Sequence, residues 1–183
     1  MTPVTAAKVH TGDIGVYFTG LGAVTPLYTV TVKSRVDGEL VKIYYKEGQT
    51  VRKGELLAEI DPRPFEVQLT QAEGQLIKDQ AALENARVDL TRYQALIKRN
   101  AVAEQQLATQ QAIVTQDEGV VKTDQGQINS AKLNLVYCHI TSPITGRVGL
   151  RLVDPGNIVH AADANGLMVI TQIEPISVIF TIS

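Results

Sequence analysis

Residue types that commonly form covalent or metal-bound sites are scarce in this chain of 183 residues. Its one cysteine, Cys138, leaves no partner for an internal disulfide and no basis for a cysteine metal site. The three histidines, His10, His139 and His160, lack the i, i+4 spacing of helical metal ligands, so we expect no metal site. Tryptophan is absent and aromatic residues make up 5% of the chain, which argues against a surface that stacks bases or sugars.

Strong charge of either sign and long apolar runs are also missing. The 17 Lys and Arg residues nearly balance the 19 Asp and Glu residues, for a net charge of −2, so we expect no binding to nucleic acid. No apolar run reaches the ~18–20 residues of a membrane span. Met1-Thr2-Pro3 leads directly into polar sequence without a secretory signal, so we expect an exported protein to be represented here by its mature or trimmed form.

The residue types of catalysis are present without a catalytic pattern. Ser34 and Ser142 have no His or Asp partner at a recognisable spacing, and we find no glycine loop of the phosphate-binding type. The acidic residues are distributed as charges on helix surfaces. We therefore expect a protein that is not an enzyme and that binds no cofactor.

What the sequence does contain is a long helical stretch between two β-rich regions. Asp61-Pro62 predicts the helix start, because Asp is a good N-cap and proline is favoured at the first helical position. Apolar residues then recur every seven positions in two ladders, which predicts two coiled-coil helices. The first ladder is Leu69, Leu76, Leu83, Leu90 and Ile97, and the second is Leu107, Val114, Val121, Ile128 and Leu135.

The short break between the ladders predicts that the helices fold back as an antiparallel hairpin, with arms of roughly 50 Å. The second arm is weaker than the first. Gln110, Asp117 and Asp124 occupy its intervening positions, and Gly119 and Gly126 each cost up to about 1 kcal/mol relative to Ala in a helix. Two interpretations remain open: these residues are solvated or merely tolerated, or they face another copy of the protein.

The β-rich regions on either side of the helices repeat one glycine-marked pattern. Gly38 and Gly48 are ten positions apart, as are Gly146 and Gly156, and the offset between the copies is 146 − 38 = 108. Each copy predicts short strands joined by turns at these glycines. Because two or three strands alone are marginal in water, we expect the copies to pair as one small β-sandwich, with the helical hairpin inserted between them.

Several motifs, taken in order, resemble those of one known family. They are "TGLGAVTP" (19–26), "TVKSRVDGEL" (31–40), "GELVKIYYKEGQTVRKGELLAEIDP" (38–62), "LVYCHITSPITGRVG" (135–149) and "VITQIEPISVIFT" (169–181). Together they are similar to the periplasmic adaptors, or membrane fusion proteins, of RND-type tripartite multidrug efflux pumps, over essentially the whole chain. The resemblance implies a periplasmic protein, associated with the inner membrane, that bridges an RND drug/proton antiporter and a TolC-type outer-membrane channel. It also implies self-association, as a hexamer in the full assembly.

The predicted fold class is α+β: a lipoyl- or biotinyl-like β-sandwich, split by an inserted antiparallel coiled-coil hairpin, plus partial β-barrel strands. The last segment alternates apolar residues up to Ile182 and stops without a turn, so we expect the chain to end inside a further β domain. The predicted boundaries are 1–31 for partial barrel strands, 32–61 for the first sandwich half, 62–136 for the hairpin with its tip at about 98–104, 137–171 for the second half, and 172–183 for the start of a returning barrel strand.

The resemblance also predicts which residues lie at the hairpin tip. In the family this tip carries an Arg, a Leu four residues later and a Ser seven after that, and it meets the coiled-coil ends of the outer-membrane channel. Arg92 and Leu96 match this motif, while the third position is Ala103, which has no hydroxyl. The alternative is that Leu96 packs within the hairpin and that Arg92 is a solvated helix charge.

Other functions with a related architecture remain open. An adaptor of an ABC-type exporter or of a type I secretion system shares the plan of sandwich and hairpin, although the arms of secretion adaptors are much longer. A biotin or lipoate carrier has the same sandwich, but it needs a modifiable Lys on the turn that joins the halves, where this chain has its hairpin. A purely structural coiled coil leaves the split β repeat unexplained.

Overall fold

The structure is a computed structural model that describes residues 1–17, 19–99, 101–161 and 163–181. Asn100, in the predicted tip, and residues 182–183, at the end of the predicted returning strand, lie outside the described residues. The helices are α1 (Arg63–Ile97) and α2 (Glu104–Cys138). The strands are β1 (Gly22–Pro26), β2 (Thr29–Val32), β3 (Gly38–Ile43), β4 (Thr50–Val51), β5 (Leu56–Ile60), β6 (His139–Thr141), β7 (Gly146–Arg151), β8 (Ile158–Val159), β9 (Met168–Thr171) and β10 (Ile176–Phe180).

Two four-stranded antiparallel sheets form the sandwich, in the orders β2-β9-β7-β4 and β6-β5-β3-β8. Each sheet takes two strands from before the helices and two from after them. Strands β3 and β5 pair within the first half and β7 and β9 within the second, while the other four ladders, β2–β9, β4–β7, β5–β6 and β3–β8, join strands of different halves. The two halves pair across the helical insertion, as the repeat predicts.

The 108-residue repeat maps one sheet onto the other. Gly38 on β3 pairs with Val159 on β8, and the equivalent Gly146 on β7 pairs with Val51 on β4. The backbone hydrogen bonds follow the same rule, since the Leu40 amide donates to the Asn157 carbonyl at 2.9 Å and its equivalent, the Val148 amide, donates to the Gln49 carbonyl at 2.9 Å. The sequence repeat is thus an approximate two-fold relation between the sheets.

The serines that have no catalytic partner in the sequence occupy equivalent places in this repeat. Ser34 and Ser142 are 108 positions apart, and both are buried. The hydroxyl of Ser34 donates to the Val36 carbonyl, and that of Ser142 donates to the Ile144 carbonyl at 2.6 Å. Each hydroxyl therefore satisfies the backbone of its own turn, which gives both serines a structural role.

The turn glycines of the two halves are Gly48 and Gly156. Their φ angles are 76° and 89°, in the left-handed region that residues with a Cβ rarely adopt. Both lie in the tight turn before a short edge strand, as predicted. The backbone conformation therefore requires glycine at these two positions.

Gly38 and Gly146 correct the prediction, because they begin strands β3 and β7 and do not form turns. A Cβ at Gly38 would lie 2.6 Å from Cγ2 of Ile60, and one at Gly146 would lie 2.5 Å from the carbonyl oxygen of Thr171. Both distances are shorter than any ordinary contact. Close approach of a neighbouring strand, rather than a positive φ, requires glycine here.

The sandwich encloses the main hydrophobic core of the described chain. Its most completely buried apolar residues are Leu40, Val51, Leu57, Ile60, Cys138, Val148, Val159, Met168 and Ile170. Phe65, from the first turn of α1, and Tyr137, from the last turn of α2, pack against this core. The base of the hairpin is therefore anchored in the sandwich.

Several predicted boundaries shift by a few residues. Helix α2 continues to Cys138, two positions beyond the predicted 136, because its last turn carries Cys138 into the sandwich core. The predicted boundary assigns residues 29–31 to the barrel strands, yet they belong to β2 and pair with β9 of the sandwich. At the other junction α1 begins at Arg63 and its N-cap residue is Pro62, one position after the predicted cap at Asp61. The Asp61 carboxylate accepts the backbone N–H of Arg63 at 3.1 Å from just outside the helix.

The two ends of the described chain meet in a separate two-stranded sheet. Strand β1 pairs antiparallel with β10, from Gly22 opposite Phe180 to Pro26 opposite Ile176. Val24, Val178 and Phe180 on these strands are exposed. Strands β1 and β10 lie within the segments 1–31 and 172–183, which the sequence predicts as partial barrel strands, and their membership of a barrel stays a prediction.

Candidate functional site

The two helices run antiparallel and meet along the predicted ladders. All ten ladder residues are buried or half-buried, while the residues around them are mostly exposed. Across the interface Nη2 of Arg87 lies 2.8 Å from Oε1 of Glu118, and Nε2 of Gln110 donates to the Ala86 carbonyl at 2.9 Å. The structure therefore places the ladders at the seam between α1 and α2.

The polar residues of the second arm also lie in this seam. Gln110 and Asp117 are half-buried, and Asp124 is only 4% exposed. These three positions therefore lie in the contact between the two helices of one chain, where polar residues are tolerated among the apolar ones. Gly119 and Gly126 differ, because a Cβ at either would meet nothing within 4 Å and so would project into open space.

The hairpin tip is the end of the molecule where the two helices turn back. Helix α1 ends at Ile97, and the Leu96 carbonyl accepts the backbone N–H groups of Arg99 at 3.0 Å and Ala101 at 3.1 Å. Helix α2 begins at Glu104 after a connection of six residues. So short a connection holds the ends of the two helices side by side.

The predicted contact residues lie on or near this tip. Leu96 is 38% exposed, and the seam position of that helical turn is taken by its neighbour Ile97. Arg92 is exposed, and its Nη1 lies 3.0 Å from Oδ1 of Asp89 on the same helix. An exposed apolar side chain one turn from an exposed guanidinium can bind an apolar and acidic surface.

Ala103 has a role that sequence reasoning missed. Its backbone is extended, with φ −76° and ψ 145°, and it is the N-cap residue of α2. Its carbonyl accepts the Gln106 N–H at 3.0 Å, but its side chain has no oxygen to accept a second one. The signal was available in the sequence, since Ala103 directly precedes Glu104, and acidic residues favour the first turn of a helix.

Each helix of the hairpin also has an unusual face on its side away from the seam. With the ladder residues at the a positions of the heptads, the f positions point away from the partner helix and are normally charged. Here consecutive f positions carry small or apolar residues, all of them exposed, and we call them the outer stripe. They are Val67, Gly74, Ala81, Val88 and Ala95 in α1, and Ala112, Gly119, Gly126 and Leu133 in α2.

The remaining surface offers little for chemistry. The hairpin has an open groove of about 360 Å³ that is lined mainly by amide side chains, which suits hydrogen bonding rather than reaction. Those lining residues are Gln68, Gln71, Ala72, Gln75, Gln127, Ser130, Ala131 and Asn134. Among the described residues, no three His, Cys, Asp or Glu side chains lie together as metal ligands. Within the same residues, neither helix has a stretch apolar enough to cross a membrane.

Comparison with known proteins gives one family. The family described as RND MFP, barrel-sandwich hybrid domain, matches residues 28–171. The chain is 56% identical over 182 residues to the multidrug resistance protein MdtA of Yersinia pestis (strain Pestoides F), covering 100% of this chain and 41% of that protein. It is 54% identical to MdtA of Pectobacterium atrosepticum, covering 100% of this chain and 44% of that protein. The chain therefore spans less than half the length of these curated relatives.

Solved structures show the same architecture. A putative efflux transporter from Bacteroides eggerthii has a TM-score of 0.57 and 25% identity, over 88% of this chain and 44% of its own. A MacA-MexA chimeric protein that contains the Pseudomonas aeruginosa MexA α-hairpin domain has a TM-score of 0.55 and 33% identity, over 82% of this chain and 50% of its own. A sandwich that carries a helical hairpin is thus common to this chain and these structures.

Proposed function

This chain belongs to the RND membrane fusion protein family, and on that premise we propose that it is part of a periplasmic adaptor in multidrug efflux. The adaptor is associated with the inner membrane and bridges an RND drug/proton antiporter and a TolC-type outer-membrane channel. The curated relatives are multidrug resistance proteins, which supports the assignment to drug efflux. Its role is mechanical, since it holds two membrane proteins in register and performs no catalytic step.

The observation that carries this proposal is the exposed tip of the hairpin. Each arm is a 35-residue helix, so the tip lies roughly 50 Å from the sandwich. A coiled coil with one anchored base and one free end is suited to reach a distant partner. The exposed Leu96, with Arg92 one turn away, gives that end an apolar contact with a cation beside it.

The outer stripe supports the self-association of the adaptor into a hexamer. Small residues let helices approach closely, and three glycines of the stripe have open space where a Cβ would lie. A hairpin whose outer face faced only water would gain solubility from charges at the f positions. Copies packed side by side through their outer stripes would instead form the wall of a tube, with the tips together at one end.

One crosslinking experiment in whole cells that produce the natural protein tests both contacts. A photoreactive residue at Arg99, beside the tip, is expected to capture the outer-membrane channel. The same residue at Gly126, in the outer stripe, is expected to capture a second copy of the adaptor. Combining Arg92→Glu with Leu96→Asp should abolish the channel product and leave the adaptor product unchanged.

The matched control is Lys132→Glu with Val136→Asp. It makes the same two chemical changes at the same i, i+4 spacing, on exposed residues near the base of the hairpin. It should leave channel capture at Arg99 intact. Unchanged channel capture in the tip variant would refute the tip contact, and co-purification of an ABC transporter in place of an RND antiporter would overturn the assignment of the pump.

A further inference from the structure

An acidic side chain lies in the seam of the hairpin, halfway along α2. Asp124 is 4% exposed, and its Oδ2 has no hydrogen-bond partner among the described residues. A seam position in a coiled coil normally takes an apolar residue, as the neighbouring Val121 and Ile128 do. An ionised carboxylate without a partner is costly in such a place, so the site requires an explanation.

A second carboxyl group faces it from the other helix. Asp79 occupies the matching seam position of α1 and is half-buried. Its Oδ2 accepts a hydrogen bond from Nε2 of Gln75 at 2.6 Å. Asp79 lies opposite Asp124 in the antiparallel hairpin, because Ala72 and Ala131, one heptad away on each helix, line the same groove. Two ionised carboxylates can only accept, so no hydrogen bond can form between them unless one of them carries a proton.

The charges around the pair favour protonation. Burial, followed by the hydrogen bond and the charge of Asp79, raises the pKa of Asp124 above its ordinary value. Lys78, on α1, is the neighbouring cation, and its charge acts in the opposite direction with a smaller effect. Desolvation and like charge together outweigh that one ammonium group, as is usual for two carboxyls that share a site.

We propose that Asp79 and Asp124 form a proton-binding site in the middle of the hairpin, in which one proton is held between the two carboxyl groups. With the proton bound, Oδ2 of Asp124 gains a partner and the seam is closed. Without it, two negative charges oppose each other between the helices. The inference concerns this chain alone and is independent of the proposed bridging role.

Linkage fixes the sign of the effect on the hairpin. Because the folded chain holds this proton at a pH where the unfolded chain has released it, the folded state binds more protons. The stability contributed by the proton is therefore fully present below the ordinary aspartate pKa, and it is lost as the pH rises through the raised pKa of the folded state. Opening of the middle of the hairpin should become about tenfold more frequent for each pH unit within that window.

Carbon-13 NMR of the aspartate carboxyl groups in the 183-residue chain tests the site directly. We expect one resonance of the Asp79 and Asp124 pair to titrate above the ordinary aspartate range. Asp124→Asn should abolish this titration, because its amide donates to Asp79 without a proton from solvent. Asp117→Asn, at the other seam aspartate of α2, is the matched control and should leave the titration in place.

Two results would overturn the proposal. One is that both resonances of the wild-type chain titrate at or below the ordinary aspartate pKa, a result that does not depend on whether the variants fold. The other is that millimolar Mg²⁺ or Ca²⁺ shifts these resonances while no raised titration occurs, which would make the pair a cation site. Amide hydrogen exchange of residues 76–86 and 117–128, corrected for its intrinsic pH dependence, should show the tenfold change per pH unit.

Discussion

The β-sandwich and the helical hairpin differ in how far apart along the chain their packed segments lie and in how completely their side chains are buried. The sandwich joins strands that lie about a hundred residues apart, and its core side chains are almost completely buried. The hairpin joins neighbouring helices through a seam one layer thick, in which Leu83, Ala86 and Val114 form a small buried cluster and Asp124 adds a buried carboxyl group. Because free energy from burial follows apolar area, most of the stability resides in the sandwich.

The difference in burial indicates which role suits each part. The closed sandwich core provides a rigid base, into which Phe65 and Tyr137 at the ends of the hairpin are packed. The hairpin leaves one side of each helix open, and Leu96, Lys98 and Arg99 are exposed at its tip, so partners can bind along it. Local openings are expected first in the hairpin, since contacts there are fewer and solvent is closer.

The largest expected effect comes from truncating a core leucine in each region. Leu57, on β5, is 0% exposed, so Leu57→Ala should lower the free energy of unfolding by about 2–5 kcal/mol. Leu83→Ala in the seam should cost near the lower end of that range, because the thin interface can close around the gap and Leu83 is already 7% exposed. Hydrogen exchange of the strands and helices measures the two regions separately.

The contrast between sandwich and hairpin is contradicted if Leu83→Ala increases amide hydrogen exchange in the sandwich strands as much as in the helices. That result would mean that the two parts unfold as one unit. If amide hydrogen exchange rises in the helices alone, the contrast is strengthened, since the hairpin could then open while its base stays folded.

Glycine-to-alanine changes should have opposite signs in the two regions. Gly146→Ala places a Cβ 2.5 Å from the backbone oxygen of Thr171, and such overpacking should destabilise the sandwich by about 1–3 kcal/mol. Gly126→Ala meets open space and should stabilise the isolated chain by up to about 1 kcal/mol, because Ala is the better helix former. Chemical denaturation of both variants measures this, and a loss of stability in Gly126→Ala would contradict the open outer stripe.

The smallest expected effect is at the tip. Ala103→Ser supplies a hydroxyl at the N-cap of α2 and should stabilise the start of that helix by about 0.5 kcal/mol. The measurement is slower amide exchange in the first turn of α2. The control is Ala108→Ser, in the interior of the same helix, where a serine caps nothing and should be slightly destabilising. Equal effects of the two changes would refute the capping role of position 103.

Much of this fold could be predicted because its patterns are periodic. The seven-residue ladders specify two helices and the face on which they meet, and the 108-residue repeat of glycines specifies two equivalent halves. The turns at Gly48 and Gly156 are predictable because a positive φ is a local property of the chain. The ends of elements were harder, as at Cys138, where burial in the sandwich decides how far α2 continues.

The sequence by itself therefore determined the features that are local or periodic along the chain. These are the helices, the seam, the turns and the need for the two halves to pair. Only the tertiary structure decided what depends on a neighbour from elsewhere in the chain. Gly38 and Gly146 are required by strands that pass too close for a Cβ, and Asp124 is exceptional only because Asp79 lies opposite it. The physical reason is that periodicity is a property of one segment, whereas crowding and shared charge arise only when two segments meet.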